Sequence, residues 1–324
     1  MTRIALAIGC GGTVGGAWSI AALNALAEQL RWDPRDADVI QGASAGAEIT
    51  TMLGGGFSIG ELVDMQLGKP VDDRLVAHLA DTPASFPSLP RPRIPDVRTL
   101  GRRGGHRSLV GIAPRGRGDA GWLDRLATSV CAPGSSWVDR PGIRLLAYRP
   151  DDDTRVVFTG PGESVGANPA RSSAATLSEA LRASWAIPGW MPAVPIDGRD
   201  YVDGGAASTA SVDLIGADEA DVIYCVASMA GLDGTRGPGA GGLAEYTLLR
   251  RPMSAVLQRE VAAVRARGTR VVVISPTAAE LAALGANFMN RNRRAAAFAS
   301  SLDSTRETVA AALNTEALNT EDRR

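Results

Sequence analysis

Short apolar runs alternate with longer amphipathic stretches along the first fifty residues of the chain. An apolar run at Ile4–Ile8 predicts a buried strand, and residues 17–30 have the length and apolar content of a helix. A second short run at residues 38–41 predicts another strand, and residues 47–53 predict the first turns of another helix. Strands and helices that alternate in this order favour a parallel sheet covered by helices.

The pattern weakens between residues 57 and 121, where no helical or strand period is evident. Five prolines crowd the middle of this segment: Pro83, Pro87, Pro90, Pro92 and Pro95. Proline interrupts both helices and sheet ladders, so the segment is predicted to be an irregular insertion. Long irregular segments inside enzymes commonly form a cap or lid.

Regular patterns return after residue 121 and continue almost to the end. Helices are predicted at residues 122–130, 177–185 and 252–267, and strands at 143–148, 155–159, 199–202, 221–227 and 270–274. Because core strands continue to residue 274, we expect one domain over residues 1–310 rather than two. Residues 311–324 repeat the sequence Leu-Asn-Thr-Glu and are predicted to be a frayed tail.

Composition excludes several classes of protein. The chain has 324 residues, of which 45% are apolar, so it can bury a large core. Its formal net charge of −1 gives no overall field that would favour nucleic acid. No stretch approaches the ~20 apolar residues of a membrane-spanning helix.

The cysteines indicate the cellular compartment. Cys10, Cys131 and Cys225 are odd in number and widely spaced, which argues against a disulfide framework and for a reducing, cytoplasmic location. The apolar run before Cys10 also resembles a lipoprotein signal. That run is shorter than the usual ~7–15 residues and follows a single basic side chain, Arg3, so a buried first strand is the favoured interpretation.

A Gly-Ala-Ser-Ala-Gly motif at residues 42–46 lies between the second predicted strand and its helix. A strand, a sharp turn and a helix in this order form a nucleophile elbow, which would hold Ser44 at the helix N-terminus. Glycines flank such a serine because a side chain there would collide with the neighbouring strand or helix. The backbone N–H groups of the turn favour negative charge that develops on a substrate.

A serine nucleophile needs a base within hydrogen-bond reach. The two histidines, His78 and His106, both fall in the irregular segment with no motif around them. Asp203 instead follows a predicted strand and begins an Asp-Gly-Gly motif, which suits a carboxylate at the carboxyl edge of the sheet. The pattern favours a Ser44–Asp203 dyad, and a plain Asp-Gly turn is the structural alternative.

The loop after the first strand reads Gly-Cys-Gly-Gly-Thr-Val-Gly-Gly over residues 9–16. Its glycines allow close approach of the backbone, so the amides of Gly11, Gly12 and Thr13 are candidate donors to a carbonyl oxygen that gains charge. A dinucleotide-binding loop is the alternative. That alternative is disfavoured because Val14 stands where the third glycine is required and no acidic residue ends the second strand.

These three motifs, in this order, resemble the patatin-like phospholipase family. Its members carry a glycine-rich loop after the first strand, a Gly-x-Ser-x-Gly elbow, and an Asp-Gly-Gly or Asp-Gly-Ala motif. The segments 183–192 and 197–205 are also similar to the stretch that leads into the family's aspartate, and the resemblance spans residues 1–275. It implies a three-layer α/β/α fold with a mainly parallel central sheet and an irregular cap. The resemblance also implies roles for individual residues, with Ser44 as nucleophile, Asp203 as base, and an oxyanion hole formed by Gly11, Gly12, Thr13 and Ala45.

The activity implied by the resemblance is that of a serine acyl hydrolase, which cleaves carboxylic esters of lipids through an acyl-enzyme without a metal or an organic cofactor. No acidic cluster has the spacing of a calcium loop. The glycine loop departs from the family pattern, because Cys10 and Thr13 interrupt it and no arginine is present near Val14 and Gly15. A catalytically silent patatin-fold protein that binds a lipid or a partner is therefore the alternative.

The predicted insertion is strongly basic. Asp96 is the single acid among eight arginines: Arg91, Arg93, Arg98, Arg102, Arg103, Arg107, Arg115 and Arg117. A cap of this charge suits peripheral contact with anionic lipid headgroups at a membrane surface. A solvated arginine-rich loop is the alternative interpretation.

Overall fold

The computed structural model describes residues 2–82, 110, 113–163, 170–172 and 174–321. Nine strands pair within this part of the chain, in the order β5-β4-β3-β2-β1-β8-β9, with β7 paired to β3 and β6 paired to β7. Their bounds are β1 (Ile4–Ile8), β2 (Val39–Ala43), β3 (Ile143–Arg149), β4 (Thr154–Thr159), β5 (Arg171–Ser172), β6 (Val194–Ile196), β7 (Arg199–Asp203), β8 (Val222–Val226) and β9 (Arg270–Ile274).

The centre of the sheet is parallel. β1 lies between β2 and β8 and runs parallel to both, and the pairs β2–β3 and β8–β9 are parallel as well. β4 and β7 run antiparallel to β3 at one side of the sheet. The prediction of a mainly parallel central sheet is therefore confirmed, and helical crossovers connect its parallel strands as such pairings require.

Helices cover the sheet and connect its strands. Their bounds are α1 (Gly12–Leu30), α2 (Ala45–Gly54), α3 (Ile59–Gln66), α4 (Asp73–Asp81), α5 (Gly121–Val130), α6 (Leu177–Ser184), α7 (Gly239–Glu245), α8 (Arg251–Ala266), α9 (Ala278–Leu284) and α10 (Arg291–Glu321). A π-helical turn, Tyr246–Arg250, joins α7 to α8. None of the described helices is long and apolar enough to cross a bilayer.

Two apolar clusters lie on opposite faces of the sheet. In β1, Leu6 and Ile8 belong to the cluster that includes α1, α2, α5 and α6, whereas Ala5 and Ala7 belong to the cluster that includes α8. This division follows from the period of two along a strand, which sends successive side chains to opposite faces. Helices on both faces give the expected three-layer α/β/α architecture.

The prediction of irregular structure over residues 57–121 is wrong for residues 57–82. α3 begins with a capping box, in which Ser58 Oγ accepts from the Glu61 amide over 3.3 Å and the Glu61 carboxylate accepts from the Ser58 amide over 2.8 Å. Asp72 caps α4 by accepting from the Arg74 amide over 2.8 Å. Such caps stabilise short helices by satisfying their first amides. Residues 83–109, which hold the five prolines, lie outside the described residues.

The prediction of a frayed tail is wrong as far as residue 321. α10 continues through this segment and packs along α1. Glu316 is 7% exposed, and its carboxylate pairs with Arg265 of α8, which attaches this end of the helix to the domain. The limits of the domain, residues 1–310, remain a prediction.

Candidate active site

The motif at residues 42–46 forms a sharp turn between β2 and α2. Ser44 occupies this turn with φ of 55° and ψ of −121°, a backbone conformation that is strained for a residue other than glycine. Its side chain is almost completely buried. Such strain persists only where the surrounding structure enforces it, and it is concentrated at functional sites.

Backbone contacts explain the glycine at each end of this turn. A Cβ on Gly42 would lie 2.2 Å from the carbonyl oxygen of Gly46, and a Cβ on Gly46 would lie 2.0 Å from the carbonyl oxygen of Ile8 in β1. Both obstacles are main-chain atoms of the central sheet or its adjoining helix. A side chain at either position would therefore displace the turn that holds Ser44.

Asp203 ends β7 and faces the elbow. Pairing with Ala147 places it beside β3, and its backbone N–H donates to the carbonyl oxygen of Ala186 over 3.0 Å. Its Oδ1 accepts a hydrogen bond from the Gly205 amide over 2.7 Å, and the Ser44 hydroxyl lies close enough to the same carboxylate to lower its pKa. The structure thus brings together the two residues predicted to form a dyad.

The proton affinity of Asp203 is unusual for a carboxyl group. Burial raises the pKa of Asp203 to about 7, whereas the hydrogen bonds from the Ser44 hydroxyl and the Gly205 amide act in the opposite direction. Desolvation dominates because the carboxylate, only 4% exposed, has lost its hydration and forms no ion pair with the described residues. A pKa near neutrality suits a group that must accept and return a proton.

The helix α1 begins at Gly12, five residues before the predicted start at residue 17. Several backbone amides at this end of α1 have no hydrogen-bond acceptor among the described residues. The first four amides of a helix have no partner within it, and here the Val14 amide donates to the carbonyl oxygen of Phe288 over 3.0 Å. No described residue accepts a hydrogen bond from the amide of Gly11, Gly12 or Thr13. These N–H groups stand at the positive end of the α1 dipole, where an anionic oxygen is favoured.

Two cavities meet at these amides. The nucleophile cavity has a volume of about 350 Å³, and Ser44, Asp203, Gly11 and Gly12 line it together with mostly apolar side chains. The α10 cavity has a volume of about 300 Å³ and is lined by Gly12, Thr13, Ala45 and residues of α2, α4 and α10. The predicted oxyanion residues are therefore divided between the two cavities, and Gly12 lines both.

Sequence reasoning did not assign a role to Ser184, the last residue of α6. Its Oγ accepts a hydrogen bond from the Ser44 amide over 2.9 Å. The segment 183–192 stands out in the sequence only through its resemblance to the family, and nothing in its pattern indicates which residue contacts the elbow. The fold alone brings Ser184 to the elbow, 140 residues away from Ser44 along the chain.

Cys10 also lies in the nucleophile cavity. A Cβ on Gly205 would lie 2.8 Å from its Sγ, so the second glycine of the Asp-Gly-Gly motif gives this side chain room. Burial raises the pKa of the Cys10 thiol, and the negative charge of Asp203 acts in the same direction, which keeps the thiol protonated. All three cysteines of the chain are free.

The remaining candidate residues lie apart from the dyad. His78 is on α4 and its Nε2 lies 2.8 Å from a carboxylate oxygen of Glu48, in the α10 cavity. Arg115 and Arg117 are exposed. His106 and the arginines at positions 91, 93, 98, 102, 103 and 107 lie outside the described residues.

The sheet topology and the strained turn after β2 define an α/β protein of the nucleophile-elbow class. The family model for patatin-like phospholipase matches residues 6–215, and the chain belongs to that family. Membership supports lipid acyl hydrolase activity in general. Ser44, Asp203 and the glycine loop fall inside the matched residues, whereas α10 lies beyond them.

Other comparisons add little. A search of curated proteins gives no match. Among solved structures, the crystal structure of VipD from Legionella pneumophila is similar, with 13% sequence identity and a TM-score of 0.44 over 96% of this chain and 67% of the VipD chain. A likeness this distant assigns no residue and no activity.

Proposed function

We propose that this protein is a serine acyl hydrolase that cleaves carboxylic esters of lipids, with Ser44 as its nucleophile and Asp203 as its base. One observation carries the proposal: Ser44, held in a strained turn, lines the same cavity as the buried carboxylate of Asp203, whose pKa is raised to about 7. Family membership supports a lipid ester as the substrate.

The reaction has two steps. In the first, Asp203 accepts the hydroxyl proton while Ser44 Oγ attacks the ester carbonyl carbon, and the departing alkoxide then takes this proton and leaves as the alcohol. In the second, Asp203 accepts a proton from water, and the resulting hydroxide attacks the acyl-enzyme. The carboxylic acid leaves, and the proton returns to Ser44 Oγ.

The charge that develops on the carbonyl oxygen needs donors close to Ser44. The amides of Gly11 and Gly12, from which no described residue accepts a hydrogen bond, belong to residues that line the nucleophile cavity, and the amides of Thr13 and Ala45 lie at the N-termini of α1 and α2. Preorganised amides of this kind require no rearrangement during the reaction, and each is worth about 3 kcal/mol of transition-state stabilisation.

The lining of the nucleophile cavity supports an acyl chain as its occupant. Ile187, Trp190, Met229, Met253 and Phe288 all line it beside the dyad. A pocket that is mostly apolar with a few convergent polar groups is typical of small-molecule sites, and its volume of about 350 Å³ lies within their usual range.

The test is hydrolysis of p-nitrophenyl esters of increasing acyl length by the wild type, Ser44→Ala and Ser301→Ala. Ser301 is a matched control because it is a buried serine of α10 whose Oγ donates to the carbonyl oxygen of Ala297, away from both cavities. The same three proteins are treated with a fluorophosphonate, which labels an activated serine. We expect turnover and labelling in the wild type and Ser301→Ala, and neither in Ser44→Ala.

Two results would contradict the proposal. Turnover that survives in Ser44→Ala would place the nucleophile elsewhere. A folded wild type with neither turnover nor labelling, with or without anionic lipid vesicles, would favour the alternative, a silent patatin-fold protein that binds lipid. The vesicles are included because contact of the basic segment 91–117 with a membrane surface is part of the proposal.

A further inference from the structure

Ser228, the second residue after β8, contacts the glycine loop of residues 9–16. Its Oγ donates a hydrogen bond to the carbonyl oxygen of Cys10 over 3.1 Å. Ser228 is buried and is not one of the described residues that line the nucleophile cavity, whereas Cys10 and Gly11 both line it. The hydroxyl group therefore contacts the loop on a side that does not face the proposed substrate.

The loop has room for Ser228 because two of its residues are glycines. A Cβ on Gly11 would lie 2.2 Å from Ser228 Oγ, and a Cβ on Gly15 would lie 2.7 Å from the same oxygen. The serine side chain occupies the space that these side chains would need. The glycines of the loop therefore admit a hydrogen-bond donor from the end of β8, in addition to allowing the approach of a substrate.

The peptide group between Cys10 and Gly11 contains both the acceptor for Ser228 and a proposed oxyanion donor. This peptide is trans, so its C=O and N–H bonds lie in one plane and point in opposite directions. A hydrogen bond that fixes the Cys10 carbonyl oxygen on one side therefore fixes the direction of the Gly11 N–H on the other. No described residue accepts a hydrogen bond from this N–H, which leaves it free to bind a substrate oxygen.

Further hydrogen bonds hold Cys10 and Ser228 in these positions. The Cys10 N–H donates to the carbonyl oxygen of Thr209 over 3.0 Å, so both peptide groups that flank Cys10 are bonded to other segments. Arg250 Nη1 donates to the carbonyl oxygen of Ser228 over 2.9 Å, and the buried guanidinium also pairs with Glu245. Buried hydrogen bonds are costly to break because the separated partners do not regain bonds to water. Ser228 is thus a fixed point from which the loop is held.

We propose that Ser228 is a positioning residue of the oxyanion hole, which directs the Gly11 N–H toward the oxyanion by holding the Cys10 carbonyl oxygen. Preorganised donors stabilise a transition state because they need no reorientation when charge develops. The effect is larger in the transition state than in the ground state, since the carbonyl oxygen of a bound ester carries less charge. The inference deepens the proposed function and rests on it. Ser228 lies beyond residues 6–215, which the family model matches, so family membership assigns it no role.

The kinetic test compares the wild type, Ser228→Ala and Ser301→Ala on one p-nitrophenyl ester. Ser301 is the matched control because its Oγ also donates to a backbone carbonyl in a buried place, away from both cavities. A misdirected oxyanion donor should cost roughly tenfold to a hundredfold in kcat and change KM by less than about twofold. Ser301→Ala should match the wild type in both constants. Active sites are counted with a fluorophosphonate, so that kcat refers to reactive protein.

A trifluoromethyl ketone measures the oxyanion hole without turnover. Ser44 Oγ adds to its carbonyl carbon, Asp203 accepts the hydroxyl proton, and the carbonyl oxygen becomes an oxyanion that resembles the transition state. The Kd of the ketone should rise in Ser228→Ala by the same factor by which kcat/KM falls, with one ketone bound per protein. A merely structural role would create an inactive fraction, which lowers the amount of ketone bound and leaves the Kd unchanged.

Nuclear magnetic resonance observes the peptide group directly. The chain contains a single Cys-Gly dipeptide, at residues 10 and 11, so labelling with ¹³C at cysteine carbonyls and ¹⁵N at glycine gives one HNCO cross-peak. The Cys10 carbonyl carbon should shift in Ser228→Ala because its oxygen loses a hydrogen bond. Added ketone should move the Gly11 amide proton downfield in the wild type and less in the variant.

Three results would overturn the inference. The first is an unchanged kcat and an unchanged Kd of the ketone in Ser228→Ala, and the second is a loss that appears in KM alone. The third is a Gly11 amide proton that does not move when the ketone binds to the wild type, which tests the donor without any variant.

Failure of the proposed function gives a different result. A wild type that neither turns over the ester nor binds the ketone would refute the hydrolase. The HNCO cross-peak would then still decide whether Ser228 holds the loop. A Cys10 carbonyl shift that differs between the wild type and Ser228→Ala would support this positioning, and identical shifts would refute it.

Discussion

The hydroxyl oxygen of Ser184 accepts a hydrogen bond from the backbone N–H of Ser44 over 2.9 Å. Two residues further along the chain, the carbonyl oxygen of Ala186 accepts a hydrogen bond from the backbone N–H of Asp203 over 3.0 Å. The end of α6 therefore fixes both members of the proposed dyad through their main chains. Ser44 needs such a partner because its strained turn removes it from the strand and helix hydrogen bonds on either side.

Replacing Ser184 by alanine should weaken the fold and the activity together. The Ser44 amide would remain buried without an acceptor, which costs about 1–3 kcal/mol. We expect the free energy of unfolding in urea to fall by this amount and ester turnover to fall further than in Ser301→Ala, in which only a hydrogen bond within α10 is lost. A Ser184→Ala protein with the stability and turnover of the wild type would show that the hydrogen bond from the Ser44 amide to Ser184 Oγ does not hold Ser44 in place.

Ester turnover should depend on the ionisation of Asp203. A base must be deprotonated, and the pKa of Asp203 is raised to about 7, so kcat/KM should rise as the pH increases through about 7 and level off above it. Asp203→Asn should be inactive at every pH. The check is a pH–rate profile of the wild type on a neutral ester. A midpoint near ~4, the ordinary value of an aspartate, would exclude Asp203 as the base.

The same burial should make the fold less stable above acidic pH. The folded-state pKa of Asp203 lies above the ordinary value of an aspartate, 3.8, so the folded protein retains a proton that the unfolded chain releases. This contribution to stability therefore declines as the pH rises from about 4 to about 7 and stays low above that range. Asparagine does not ionise, so the Tm of Asp203→Asn relative to the wild type should be higher at pH 8 than at pH 4. Thermal unfolding of both proteins at the two values checks the sign, and an unchanged difference would contradict it.

Gly46 should tolerate no side chain. Its added Cβ would lie 2.0 Å from the carbonyl oxygen of Ile8, so Gly46→Ala must displace α2 from β1 and should cost several kcal/mol or prevent folding. Gly60 in α3 is the matched control, because the nearest atom to its added Cβ is 3.9 Å away. Gly60→Ala should stabilise the protein by ~0.5–1 kcal/mol, since alanine is the better helix former. Urea unfolding of both variants should give shifts of opposite sign, and similar shifts would count against a rigid elbow.

Phe288 should limit access to the proposed oxyanion donors. Its ring stacks on Trp190 with centroids 5.3 Å apart, and a Cβ on Gly12 would lie 2.6 Å from its Cδ2. Phe288→Ala keeps the backbone contact with Val14 and removes only the ring. We expect a bulky fluorophosphonate to label Ser44 severalfold faster in this variant than in the wild type, with Leu248→Ala, an exposed site, as the control. Unchanged labelling would show that the ring does not obstruct the nucleophile.

Much of the fold and the candidate dyad is predictable from the sequence. Alternating strand and helix patterns predicted the parallel centre of the sheet, and the glycines at positions 42 and 46 predicted a turn that their backbone contacts now explain. The Asp-Gly-Gly motif predicted a carboxylate at a strand end, where Asp203 lies. These features depend on local backbone geometry, which leaves a direct record in residue type and spacing.

Two wrong predictions have different causes. The helices α3 and α4 were overlooked because their apolar pattern is short. The sequence does contain their cap signals: Ser58 and Glu61 form the capping box of α3, and Asp72 caps α4. The tail was predicted to fray because it is a short repeat at the end of the chain, where disorder is common. Its helix is instead attached by an ion pair between Glu316 and Arg265, which no pattern within the tail reveals.

The sequence by itself determined the alternation of strands and helices around the centre of the sheet and the sharp turn at Ser44, because each follows from short-range sterics and hydrogen bonding. Only the tertiary structure decided that Ser184 holds the elbow, that burial raises the pKa of Asp203, and that α10 brings Arg291 and Arg294 to a cavity beside Thr13. These properties arise between segments far apart in the chain. Their physical cause is the exclusion of water where such segments meet, which depends on the complete packing rather than on any local pattern.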